Sequence, residues 1–173
     1  IAESGGGIWS SVQHTRASSE EELVEGILKR VDILIKQGIT TIEIKSGYGL
    51  NVDEELKMLR AIKKAQTKTK ATLIPTCLSA HLKPRDFEGS SEDYLNYILN
   101  EILPKVKEEN LSNRVDIFIE KSAFQPEESK QFLLKAKELA FQITVHADQF
   151  TAGSSRIAVE VGAKSADHLE ATI

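Results

Sequence analysis

Three of the four histidines in this 173-residue chain close an apolar run. His81 follows ATLIPTCLSA, His146 stands in FQITVHA, and His168 ends AKSADH. A neutral imidazole is the usual nitrogen ligand for zinc or iron. It also titrates near neutral pH and can carry a proton in catalysis. Other reactive groups stand at the same kind of place. Lys45 and Tyr48 lie in KSGYG, Glu120 and Lys121 follow RVDIFI, Asp148 and Gln149 follow His146, and Asp167 precedes His168. Singly, each has an ordinary reading. Lys45 and Glu120 fit ion pairs, Asp148 and Asp167 fit helix N-caps or partners of a ligand, and a lone histidine fits a structural hydrogen bond. Three histidines in equivalent positions point instead to a shared site.

That site would be a metal centre or a proton-transfer centre. A catalytic metal takes about three protein ligands and keeps an open position. His146 is the strongest ligand candidate, with His81 and His168 beside it; the chain holds no His-x-His pair. Other motifs lead elsewhere. Gly5–Gly7 lacks the Lys-Ser/Thr of a phosphate loop. Cys77 lies inside an apolar run with no placed base, which argues against a thiol nucleophile. His14 and Arg16 precede a helix and read as surface.

The elements that must carry these groups alternate. Residues 19–38 predict a helix, with Ser19 and Glu22 in a capping-box pattern and an apolar face at Leu23, Ile27, Val31 and Leu34. Residues 39–47 predict a strand. Asn51 caps a helix through Gln66, and residues 71–80 predict a strand despite Pro75. Residues 90–110 predict a helix kinked by Pro104, and 114–120 a strand. Pro126 opens a helix through Leu139, 141–147 a strand, 153–162 a short helix and 163–168 a fifth strand. Five strands, each preceded by a helix, give a parallel α/β sheet. Either an open doubly wound sheet or part of an eight-stranded barrel fits, and in both the chemistry lies at the C-terminal strand ends. A nucleotide-binding open sheet would need a glycine-rich loop after a strand, and none is present.

The composition suits a globular domain: 40% hydrophobic, 28% charged and net charge −4. The mild negative charge argues against a nucleic acid or an anionic membrane as partner. No apolar run approaches the ~20 residues of a membrane span. A single cysteine suits a reducing, cytoplasmic setting. The chain opens on Ile and stops just after DHLE, so it reads as a piece of a longer protein.

GGGIWSSVQHTR, EIKSGYGL, ELKMLRAIKK, SAHLKP, VHADQF and SADHLE, in this order and spacing, resemble the imidazolonepropionase family of the amidohydrolase superfamily. The combination of EIKSGYGL with HADQ and SADHLE is specific, and the likeness runs over nearly the whole chain. The resemblance implies a (β/α)8 TIM-type barrel of which this chain covers strands two to six. Residues 1–173 would be part of one catalytic domain, with a small β-sandwich and the other strands outside the chain. It further implies one zinc or iron ion, a homodimer, and a small-molecule substrate. The implied reaction is hydrolysis of the cyclic amide of 4-imidazolone-5-propanoate to N-formimino-L-glutamate in histidine degradation. Carried over by motif, His146 is a metal ligand, Gln149 contacts substrate and takes part in catalysis, Tyr48 and His81 line the substrate pocket, and His168 transfers a proton. The family's His-x-His, a substrate-holding Arg and a metal-binding Asp have no counterpart here. A deaminase or dihydropyrimidinase-like relative would share His146 and His168 but not Tyr48 with His81. A non-catalytic binding barrel would have lost the metal.

Overall fold

Reciprocal caps start the helices where the sequence patterns place them. Ser19 Oγ accepts from Glu22 N at 3.2 Å, and the Glu22 carboxylate accepts from Ser19 N at 2.8 Å. This begins α2 (Glu20–Lys36), after a first helix α1 (Gly6–Ala17). Asn51 Oδ1 accepts from Glu54 N at 2.9 Å and begins α3 (Val52–Gln66). Ser90 and Asp93 form a second reciprocal cap at α4 (Ser91–Tyr97). The computed structural model describes residues 6–173. Residues 1–5, with part of the GGG run, lie outside the described residues.

The predicted Pro104 kink takes the form of a π-helical turn, Ile98–Ile102, leading into α5 (Leu103–Glu108). Proline lacks an N–H and its ring crowds the carbonyl four residues back. The wider turn, in which Leu103 N donates to Ile98 O, makes the room. Then follow α6 (Pro126–Glu138) and the short α7 (Ser155–Glu160).

The strands are β1 (Thr41–Lys45), β2 (Thr72–Ala80), β3 (Arg114–Ile117), β4 (Gln142–Ala147) and β5 (Ser165–His168). They form one parallel sheet in the order β1-β2-β3-β4-β5. Every strand pairs with the next in sequence. A doubly wound sheet reverses its strand order at a switch point, and this one does not, so the open-sheet expectation is corrected. With right-handed crossovers, sequential order winds the sheet one way and stacks the helices on one face, as in half a barrel. Pro75 sits opposite Ile44 of β1, before the ladder with β3 begins at Cys77, so its missing N–H breaks no bond on that side.

Strand alternation sorts the side chains. One face carries Val115, Ile117, Ile143 and Val145, which join Leu59, Ile62, Ile102 and Leu133 from the helices in a continuous buried core. The opposite face, by register, carries Glu43, Lys45, Thr76, Asp116, Thr144, His146 and Asp167. Within this layer Lys45 pairs with Asp116, Asp167 and Glu43, and Thr76 donates to Glu43, while Thr144 Oγ1 and His146 Nδ1 are buried without a hydrogen bond.

Candidate active site

The five strand ends converge on a cavity of about 600 Å³. Tyr48, His81, His146, Gln149 and His168 all line it, with Lys45 at its floor. The five residues that the resemblance assigns to the site are therefore in one place. The rings form a contiguous set: Tyr48 and His81 meet edge to face at 5.1 Å between centroids, His81 and His146 lie at 6.4 Å, and His146 and His168 at 5.2 Å.

Beneath the rings, Lys45 Nζ stands 2.5 Å from Asp116 Oδ2 and 2.5 Å from Asp167 Oδ2, with Glu43 Oε2 at 3.5 Å. Burial works against the Lys45 ammonium, but Asp116, Asp167 and Glu43 outweigh it and raise its pKa above the usual value. Burial likewise opposes the Asp116 carboxylate, but His146 and Lys45 prevail and hold it below the usual carboxylate range. The layer is thus a charged pair of carboxylates around one ammonium. The ion-pair reading of Lys45 stands.

His146 Nδ1 lies 3.0 Å from Asp116 Oδ2. That is ion-pair distance, yet the buried Nδ1 makes no hydrogen bond. Asp116, His146 and Asp167 each bring one potential ligand atom within 4.8 Å of the others. One imidazole and two carboxylates make a donor set that suits a divalent ion, although Lys45 already engages both carboxylates. Asp116 was not singled out in the sequence; its only signal was an acid in the middle of the apolar run RVDIFI.

His81 Nδ1 is 3.0 Å from the Gly47 carbonyl. Burial, with His146 nearby, lowers the His81 pKa despite that bond, so the ring is neutral at neutral pH. His168 reaches the cavity through a left-handed backbone, φ 73°, followed by Leu169 at 71°. Its Nδ1 lies 3.6 Å from Glu170 Oε1.

The remaining candidates hold the frame. Asp148 is buried with φ 49°. Its Oδ1 accepts from Ser155 N at 2.9 Å and Ser154 Oγ at 2.9 Å, and its Oδ2 from Ser155 Oγ at 2.6 Å and Thr172 Oγ1 at 2.9 Å. Burial alone would raise its pKa, but these bonds hold it far below the usual range. It holds the first N–H of α7 from outside that helix, whose N-cap residue is Ser154, so neither Asp148 nor Asp167 is an N-cap; Asp167 pairs with Lys45. The ion-pair expectation for Glu120 is corrected. Its carboxylate accepts from Phe150 N and Thr151 N at 3.1 Å, and from the Thr151 hydroxyl, clamping the loop that presents Gln149. The surface reading of Arg16 is also corrected. Its Nε donates to the Gly49 carbonyl at 2.7 Å and its guanidinium pairs with Asp86, tying α1 to the SGYG loop. His14 is exposed on α1, as expected. Cys77 is buried, and burial with Glu55 nearby pushes its thiol to about 12, which removes it as a nucleophile.

Comparison with known proteins bears on the whole chain. It is 49% identical over 171 residues to the imidazolonepropionase of Myxococcus xanthus, covering 98% of this chain and 41% of that protein. It is 49% identical over 170 residues to that of Bdellovibrio bacteriovorus, with 98% and 39% covered. It is 44% identical over 171 residues to that of Thermoanaerobacter pseudethanolicus, with 98% and 41% covered. No protein-family model matches the chain. The resemblance read from the motifs thus extends over 98% of the chain, which spans about two-fifths of the length of these curated relatives.

Proposed function

We propose that this chain forms five consecutive strands, with the helices that connect them, of an imidazolonepropionase, a metal-dependent hydrolase of the amidohydrolase superfamily. In this reading β1 to β5 are strands two to six of one (β/α)8 catalytic barrel, completed by segments outside residues 1–173. The protein would work as a homodimer in the cytoplasm, opening the cyclic amide of 4-imidazolone-5-propanoate to N-formimino-L-glutamate. The observation that carries the reading is the convergence of Tyr48, His81, His146, Gln149 and His168 on one cavity at successive strand ends.

His146 would hold a zinc or iron ion, and the Asp116 carboxylate stands at ion-pair distance, 3.0 Å, from its Nδ1. When bound, such an ion supplies Lewis-acid polarisation and lowers the pKa of water from 15.7 toward about 7. The chain's own residues do the rest. Tyr48 and His81 hydrogen-bond the imidazolone ring and orient it, with Gln149 contacting it from the β4 loop. His168 delivers a proton to the ring nitrogen as the carbon–nitrogen bond breaks. Lys45 pairs with both the Asp116 and Asp167 carboxylates and offsets part of their charge, so the floor of the cavity is a fixed electrostatic frame with a net negative charge.

The test is substrate profile in the full-length enzyme. Hydrolysis of imidazolone propanoate, with dihydropyrimidines and exocyclic amines left untouched, is the expected result. Turnover of a dihydropyrimidine or an amine in preference would move the chain to another amidohydrolase reaction, and no turnover of any would favour a binding barrel.

A further inference from the structure

Glu55 lies on α3, outside the cavity, and is fully buried. A buried carboxylate is costly unless polar groups are arranged around it. Here they are backbone amides. Glu55 Oε1 accepts from Gly47 N at 3.1 Å, Gly49 N at 2.8 Å and Leu50 N at 2.9 Å. Its Oε2 accepts from Gly47 N at 3.2 Å and Ser79 Oγ at 3.2 Å. The carboxylate therefore grips the loop on both sides of Tyr48. The loop cannot lie this close with side chains at its glycines. A Cβ on Gly47, where φ is 102°, would meet the Leu78 carbonyl at 2.7 Å, and one on Gly49 would meet the α3 backbone at 2.5 Å.

The peptide that carries the Gly47 carbonyl lies between the two whose N–H groups Glu55 holds, Ser46–Gly47 and Tyr48–Gly49, and His81 Nδ1 is 3.0 Å from that carbonyl. A carbonyl only accepts, so Nδ1 carries the proton and Nε2 is left with the lone pair. We infer that Glu55 is a positioning residue: through the Gly47 peptide it holds Tyr48 in place and locks His81 as the Nδ1–H tautomer, an acceptor at Nε2. This rests on the proposed roles of Tyr48 and His81 in substrate binding. It adds a specificity rule: the substrate atom that meets His81 is a hydrogen-bond donor, such as a ring amide N–H.

The test uses the full-length, metal-loaded enzyme and the Glu55→Gln variant, with Glu55→Ala beside it. Glutamine keeps one acceptor oxygen but turns the other contact into an NH2 facing the Gly47 N–H. Histidine-ring NMR reads the His81 tautomer, with the signal assigned by its loss in His81→Ala. In the parent, the His81 proton sits on Nδ1. In Glu55→Gln the ring becomes a mixture of tautomers and KM rises about tenfold, as expected for one lost hydrogen bond, with kcat changed much less and metal content unchanged. A folded Glu55→Gln enzyme with His81 still purely Nδ1–H and KM unmoved overturns the inference, as does an equal loss of metal and kcat. If Glu55→Ala fails to fold, Glu55→Gln decides alone. Tyr48→Phe and His81→Ala separate the two ideas: if neither moves KM, the substrate-binding reading fails, while the tautomer still judges Glu55.

Discussion

His168 enters the cavity because its backbone leaves the β region. In register it pairs with Ala147, whose side chain belongs to the opposite, helix-packed face. The positive φ at His168 turns it back, and Asp148 at the end of β4 has the same left-handed geometry. Such backbone costs about 1–3 kcal/mol per residue and persists only where the surroundings over-determine it. As proton donor, His168 has a clear signature. His168→Ala should lower kcat by about 10²–10⁴-fold and erase one limb of the pH–rate profile; a full profile would leave it a structural role. Tyr48→Phe and His81→Ala should each cut kcat/KM by about 10- to 150-fold with metal retained, and a metal-free His81→Ala would make His81 a ligand. Asp148 belongs to stability. Its folded pKa is depressed, so its contribution is present above the unfolded value of about 3.9 and is lost as pH falls below that toward the folded pKa. Asp148→Asn should therefore be less stable than the parent at neutral pH. The gap, read by denaturant titration, should narrow below about pH 4; a constant gap would remove the charge from the account. The histidines were legible in the sequence because a strand end is a position one can find from an apolar run. Asp116 and Glu55 were not. Their meaning lies in Lys45, His146 and the Gly47 peptide, which are distant in sequence and met only in the fold.

The capped helices were legible to within a residue or two, because the Ser19 and Glu22 capping box and the Asn51 cap are local chemistry. The π-turn before Pro104 was visible only as a kink, since sequence shows that proline disturbs a helix but not how the chain absorbs it. α1 was read as surface around His14 and Arg16, with no helix drawn there. It is held from outside its own sequence: Arg16 reaches the Gly49 carbonyl, and Lys57 Nζ donates to the carbonyls of Arg16 and Ser18 at 3.0 and 2.8 Å. The loop between β1 and α3 is where element and site meet. Gly47→Ala should destabilise the protein by about 1–3 kcal/mol, through strain at positive φ and the collision with Leu78, and should raise KM with it. A Gly47→Ala enzyme with parental stability and KM would show that the loop has freedom the account denies it.

The sheet as a whole winds in sequence order and leaves β1 and β5 each with one unpaired edge among the described residues. Exposed edges invite pairing with other chains. Residues 1–173 expressed alone should therefore self-associate or stay partly unfolded; a soluble monomer with one cooperative melt would contradict the barrel reading. Within that half-barrel, five chemical groups from three strand-end loops and two strands line one cavity, His146 among them, and the account stands on what His146 does. The most direct measurement is the metal content of the full-length enzyme and of His146→Ala, by elemental analysis of folded protein. The account predicts zinc or iron at about one ion per chain in the parent. It predicts loss of most of that metal and essentially all hydrolysis of imidazolone propanoate in the variant, with the fold intact. A folded His146→Ala protein that keeps its full complement of metal would contradict it, whatever its activity.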